Sequence, residues 1–170
     1  MKLRIEQDTD AMSPSDWEDD GLFLIGSHRE FYVLPPGMNG SERFYLQDEI
    51  DARKSTHHIF MLEAYIHSGV VLALAGEGNF PDRKWDVSLL GAVFASKKKW
   101  RNKAKAREAA ESKVKEWNQY LSGDVWGCIV ENDEDNHVDS CWGFYGHEYA
   151  KQEGQRMLKY AEEHAFTPAI

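Results

Sequence analysis

Cysteine is scarce in this chain of 170 residues, present at Cys128 and Cys141 alone. Two are too few for a disulfide framework. In a reducing compartment thiols stay free unless they do chemistry or hold metal, so both are expected to be buried, inert side chains. Long apolar runs are missing as well: none approaches the roughly 18–20 residues of a membrane span, and the start MKLRIEQDTD lacks the unbroken apolar segment of a secretory signal. The expectation is a cytoplasmic protein that does not enter a membrane. Positive charge is also in short supply, with 20 Lys and Arg against 29 Asp and Glu for a net charge of −9. Phosphate binding rests on Lys and Arg displacing condensed counterions, so this balance disfavours general nucleic-acid affinity and suits a basic protein partner better. No internal repeat is visible.

Material for a core is plentiful. Hydrophobic residues make up 42% of the chain and include 6 Trp, 7 Tyr and 8 Phe, enough to fill one sizeable interior. The expected organisation is an acidic irregular arm over 1–20, a single domain over 21–166 and a short tail over 167–170. GLFLIG opens a strand, Phe31 to Leu34 extends a second edge, and PPGMNG is a loop. SERFYLQDEIDARK has a weak helical spacing with Ser41 as its cap. Ile59 to Ile66 and VVLALAG read as two strands joined by a tight turn at His67, Ser68 and Gly69. In WDVSLLGAVFAS, alternation places Val87, Leu89, Gly91 and Val93 on one face and Ser88, Leu90, Ala92 and Phe94 on the other. Both faces are largely apolar, as in a strand covered on both sides or an element near the sheet centre.

The strongest helical pattern spans 97–121, with Trp100, Ala104, Ala110, Val114, Trp117 and Leu121 along one stripe, Ser96 as cap and Gly123 in the left-handed position beyond the end. DVWGCIVE and HVDSCWGFYG bracket NDEDN as a β-hairpin. A turn centred between Glu134 and Asp135 sets Cys128 opposite Cys141 and Trp126 opposite Gly143, where bare backbone accommodates an aromatic ring. A last helix from Glu148 to His164 aligns Ala150, Gly154, Met157, Leu158 and Ala161. Strands, helix, hairpin and helix in that order predict an α+β fold, a mostly antiparallel sheet with two long helices packed on it.

Charge is unevenly spread. Residues 97–115 hold nine Lys and Arg against Glu108 and Glu111, a local +7, and the rest of the chain sums to −16. The basic patch is Lys97, Lys98, Lys99, Arg101, Lys103, Lys105 and Arg107. Positive charge at a helix start opposes the macrodipole, which hints at an acidic counter-surface in this protein or another. Interleaved with Trp100, these side chains are also candidates for direct nucleic-acid binding, against the plainer account of a solvated helix face. The acidic candidates for partner binding are Asp16, Glu18, Asp19 and Asp20 with Asp133, Glu134 and Asp135, placed to imitate a phosphate row or simply to solvate the surface.

Other chemistry finds less support. Cys141 with His147, His57 or His58 would make a thiol nucleophile and base, but a cysteine alternating with Trp142 in a strand is more simply a packed small hydrophobe. Cys128, Cys141, His137 and His147 lack the close CxxC or HxxxH pairs of a zinc site. GEGNF lacks the lysine of a phosphate-binding loop, and NDEDN lacks the ligand ladder of a calcium loop. A cross-strand disulfide is open if the hairpin register is right. No cofactor or metal is expected, and no enzymatic activity.

In order along the chain, SPSDWEDDG, SHRE, HSG, WDVSLLGAVF, YLSGDVWGCIVE and DSCWGFYG resemble the blocks of a family of small proteins encoded by bacteriophages and related mobile elements. The resemblance runs from Ser13 to about Tyr149 and rests on Ser13, Pro14, Trp17, His28, Arg29, His67, Ser68, Gly69, Trp85, Asp86, Gly123, Asp124, Gly127, Asp139, Ser140, Cys141, Trp142 and Gly143. Trp126 stands where the family has Tyr, and the stretch after Arg29 departs from its pattern. The resemblance transfers no catalytic assignment. It implies a phage accessory product acting in the cytoplasm of a bacterial host, where such proteins often bind and disable host machinery. The expected function is non-enzymatic inhibition of a bacterial defence component, such as a CRISPR effector or a restriction enzyme; the partner is then a host protein, a nuclease or a nucleic-acid-binding complex. The alternative is a nucleic-acid-binding or regulatory protein using the basic segment 97–107.

Overall fold

A computed structural model of the chain describes residues 1–16, 21–40, 42–78 and 87–165. The fold is α+β, with antiparallel sheets packed against helices. The chain forms two compact units, Ser13–Leu121 and Met1–Met12 with Ser122–Ile170. The second closes on itself because the chain's first strand joins its last hairpin.

In the unit Ser13–Leu121, strands β2 (Leu22–His28), β3 (Phe31–Val33), β4 (His57–Ile66), β5 (Val70–Leu74) and β6 (Val87–Ser96) form one sheet in the order β3-β2-β6-β4-β5. β6 is central, as its two apolar faces require. Helix α2 (Lys103–Leu121) lies on one face, its Ala106, Ala110, Val114 and Trp117 packing with Leu24, Phe60, Leu62, Leu90 and Val93. The other face buries Phe23, Ile25, Ala92 and Phe94 with Phe44, and Leu46 and Ile50 of helix α1 (Leu46–Arg53) lean on it.

Strict alternation along β6 does not hold. Leu62 pairs with Gly91 but Glu63 pairs with Leu89, so a bulge gives β6 one extra residue there. Leu90 therefore joins Val93 beneath α2 instead of sharing a face with Ala92 and Phe94. Leu89, expected to be covered, is 62% exposed. Gly91 faces Gly26 of β2, and a Cβ on Gly91 would overlap the carbonyl oxygen of Ile25. The close pairing of the two strands depends on its absence.

Both helix starts fall later than the sequence pattern placed them. α1 begins at Leu46 with Tyr45 at its cap position, and Ser41 lies outside the described residues. α2 begins at Lys103 because the side chain of Asn102, rather than Ser96, accepts hydrogen bonds from the amides of Ala104 (2.8 Å) and Lys105 (3.3 Å). The buried stripe accordingly runs through Ala106, while Ala104 is exposed. Asn118 on α2 reaches the edge strand β5, donating to the carbonyl of Leu72 (2.9 Å) and accepting from its amide (2.8 Å). One side-chain amide thus pairs the backbone that a further strand would otherwise meet.

In the other unit, β1 (Lys2–Gln7), β7 (Val125–Glu131) and β8 (His137–Tyr145) form a sheet in the order β1-β7-β8, and helix α3 (His147–His164) packs on it. The expected irregular arm is thus corrected over Lys2–Gln7, where Leu3 and Ile5 alternate with Lys2, Arg4 and Glu6 in the period of a half-covered strand. Each long helix therefore serves its own sheet.

Replacing Asn118 with alanine strands both polar groups of buried Leu72, and a loss of about 1–3 kcal/mol in stability is expected. Urea unfolding reads this as a lower midpoint at unchanged slope; an unmoved midpoint contradicts the clamp.

Candidate functional site

Two blocks of the family resemblance, 120–131 and 139–146, come together as the facing strands β7 and β8. Cys128 pairs with Cys141 as the turn position predicts. Trp126, however, pairs with Phe144 rather than Gly143, because β8 carries an extra residue at this point and Gly143 takes the left-handed conformation (φ 84°) that a bulge of this kind requires. The aromatic-on-glycine contact still forms, with the partners exchanged: the ring of Trp142 lies on Gly127, where any Cβ would overlap it. Trp142 keeps 47% of its surface exposed. On the opposite face, α3 crosses closely enough that a Cβ on Gly154 would stand 2.9 Å from Cys128 Sγ and from Leu3.

The two cysteines differ in environment. Cys128 is fully buried, and its thiol donates to the carbonyl of Ala150 at 3.0 Å. Burial pushes its pKa up, the nearby Cys141 adding to the effect, so it is a protonated thiol at neutral pH. Cys141 is exposed, which corrects the expectation of a buried side chain: β8 is the sheet edge. Its sulfur stands 4.0 Å from the Trp142 carbonyl. His147 instead meets Trp126 edge-to-face at 4.7 Å, and His137 meets Ser140 Oγ at 3.0 Å. Among the described residues, no group of three or more His, Cys, Asp or Glu is placed to hold a metal ion.

The acidic turn has a structural task. Asp133 accepts from the amino-terminal ammonium at 2.8 Å, Asp135 pairs with Lys2, and Glu134 accepts from Asn136 Nδ2 at 3.3 Å. The first two anchor β1 beside β7, and the third lies within the turn. The hydrogen bond from the ammonium lowers the pKa of Asp133, and the carboxylate raises that of the amine. Asp16 belongs to the other unit, where its carboxylate accepts from the amide of Ser13 at 3.1 Å. Glu18, Asp19 and Asp20 lie outside the described residues, as do Trp17, Trp85 and Asp86 of the resemblance.

The basic patch divides in two. Lys97, Lys98, Lys99 and Arg101 precede α2 in a turn, not in the helix, which is the correction to the expected helix start. This turn is pinned by the amide of Trp100 on Ser96 O (2.8 Å) and by His58 Nε2 against the Trp100 carbonyl (2.8 Å). Lys97 Nζ donates to the carbonyls of Lys54 and Ser55, both at 3.4 Å. Trp100 is half-buried against the core, with Lys99 Nζ 4.7 Å from its ring, so only part of its surface is open for stacking. Within α2, Lys103 is exposed, Lys105 pairs with Glu108 at 3.9 Å, and Arg107 pairs with Glu77 and Glu111. An open groove of about 640 Å³ runs past Lys99, Trp100, Arg101 and Lys105.

His28 ends β2, and His67 directly follows β4 in the same sheet. Those two strands are separated by β6, which sets their backbones about 10 Å apart. Nδ1 of His28 accepts from the amide of Glu30 at 3.0 Å, fixing the β2–β3 turn. Arg29 borders a second cavity, of about 750 Å³, beside Tyr32, Arg43 and Tyr45. The chain matches no protein-family model, no curated protein and no solved structure.

What sequence reasoning missed is the division of charge between the units. The unit Met1–Met12 with Ser122–Ile170 holds five Lys and Arg against thirteen Asp and Glu, a net −8, leaving only −1 for Ser13–Leu121. The counts were legible; the pairing of β1 with β7 that defines the unit was not.

Two outcomes are expected. In the native protein at neutral pH, a thiol-reactive dye should label Cys141 readily and Cys128 only after unfolding; equal labelling of both contradicts the buried thiol. The stabilising contact between Asp133 and the amine should be complete above the ordinary carboxylate pKa and fade as pH falls through the lowered one. On the alkaline side it should be complete below the ordinary amine pKa and fade as pH rises through the raised one. The melting-temperature difference between wild type and Asp133→Asn should therefore be widest near neutrality.

Proposed function

We propose that this chain is a non-enzymatic accessory protein that binds a basic protein surface through its acidic unit and thereby inhibits a bacterial defence component such as a nuclease. The observation that carries the reading is charge segregation: nearly all of the chain's excess negative charge falls in the unit Met1–Met12 with Ser122–Ile170. A nuclease presents cationic surface to its substrate, and a concentrated negative surface accelerates encounter with such a partner. The same unit exposes Val138, Trp142 and Tyr149, apolar and aromatic groups of the kind that anchor interfaces. Trp142 suits this role because its ring rests on the backbone of Gly127 and loses little freedom on binding. The resemblance to phage-encoded proteins supplies the biological setting.

The second reading, nucleic-acid binding, is favoured by one observation: the groove beside Lys99, Trp100, Arg101 and Lys105 lines up cationic groups with a partly open aromatic ring. Charge pairing of Lys105 and Arg107 within the chain counts against it.

Two experiments separate the readings. In bacteria carrying a CRISPR or a restriction system, expression of the chain should restore phage plating, and Trp142→Ala should weaken the rescue at a temperature where the purified variant remains folded. Absence of rescue in both hosts overturns the inhibitor reading. Gel shifts of the purified protein with duplex and single-stranded DNA should show no complex; a complex lost steeply with added salt and abolished by Lys99→Glu with Arg101→Glu would establish the second reading instead.

A further inference from the structure

We propose that Cys128 and Cys141 are an oxidation-sensitive dithiol that closes to a cross-strand disulfide in the presence of a hydroperoxide. The two residues are direct partners across the β7–β8 ladder. Directly opposed residues of an antiparallel pair have Cα atoms about 4.5–5.5 Å apart, inside the roughly 4.4–6.8 Å that a disulfide spans. Their side chains leave the sheet on the same face. β8 is an edge strand held by a single ladder, and the bulge beginning beside this pair leaves it free to adjust its geometry on closure.

The environments assign each thiol its part. Cys141 is exposed and meets the oxidant first. Cys128 is buried against α3, its thiol hydrogen-bonded to Ala150, and a group kept protonated by burial does not compete for peroxide. In the first step the Cys141 sulfur attacks the peroxide oxygen, the O–O bond breaks, and Cys141 becomes a sulfenic acid while the departing alkoxide or hydroxide takes the proton given up by the Cys141 thiol and leaves as alcohol or water. In the second, Cys128 sulfur attacks Cys141 sulfur, the S–O bond breaks, and the departing hydroxide takes the proton of Cys128 to leave as water. Overall, two thiols and one hydroperoxide give one disulfide, one alcohol and one water; sulfur is oxidised and the peroxide reduced.

Closure has a structural cost confined to this unit. Cys128 Sγ must turn from the Ala150 carbonyl toward β8, withdrawing from the position it holds against Gly154. α3 then loses a fixed point of its seat on the sheet. The reverse reaction needs only a small thiol reaching the exposed sulfur of Cys141.

This inference stands apart from partner binding, because its readout is chemical. The purified full chain, dilute and at neutral pH, is exposed to hydrogen peroxide and followed by intact mass, thiol count and peptide mapping. Both thiols should disappear together, with a mass lower by two hydrogens, the peptides containing 128 and 141 joined, and full reversal by dithiothreitol. Cys141→Ser, at an exposed position where folding is undisturbed, should keep Cys128 reduced through the same exposure. If wild-type Cys141 instead collects as sulfinic acid or as an intermolecular disulfide while Cys128 remains titratable, the proposal is overturned.

Discussion

Close approach to bare backbone is the constraint on which both units depend. In the five-stranded sheet, β2 and β6 meet where Gly91 leaves room for the carbonyl of Ile25. In the three-stranded sheet the same device works on both faces: Trp142 rests on Gly127, and α3 crosses at Gly154, directly over Cys128. A methyl group at any of these positions would occupy space already filled by a neighbour, and packed interiors have no slack to absorb it. The glycines therefore set how closely β2 approaches β6, the Trp142 ring approaches β7 and α3 approaches its sheet. They also decide which aromatic surface stays outside, since the ring on Gly127 is supported from below and open above.

From those distances the chemistry of the hairpin follows. Cys128 is dark and hydrogen-bonded because α3 can come down onto it. Its partner Cys141 is wet because it stands on the edge strand. The same hairpin carries the acidic turn, and there the charges are used twice. Asp133 and Asp135 hold the first strand in place through the amine and Lys2, and they still belong to a unit whose negative charge far exceeds its positive. An acidic sequence run is thus a docking element before it is a surface.

The basic segment teaches the converse. Seven cations in eleven residues look like a ligand track, but the structure gives several of them internal work: Lys97 on the carbonyls of Lys54 and Ser55, Lys105 on Glu108, and Arg107 on Glu77. Exposed ion pairs of this kind contribute little stability each, yet they reduce the positive field available to a phosphate backbone. Trp100 is likewise committed in part to the core.

Most elements were legible from residue pattern alone. The α+β class, the tight turn at Ser68, the central place of β6 and the pairing of Cys128 with Cys141 all follow from alternation, turn chemistry and helical spacing, which are local properties. What escaped was decided by contacts between residues far apart in the chain. Lys2–Gln7 pairs along the edge of β7, and Asn102 rather than Ser96 caps the helix, beyond a turn whose Trp100 packs against the core. One extra residue at each bulge reassigned Leu90 and Trp126 to different neighbours. The exposure of Cys141 and the gathering of negative charge into one unit belong to the same class. Sequence determines what each segment prefers; which segments meet, and so which side chains are left to face water, is settled only when the whole chain packs, because burial is a property of neighbours and not of the residue itself.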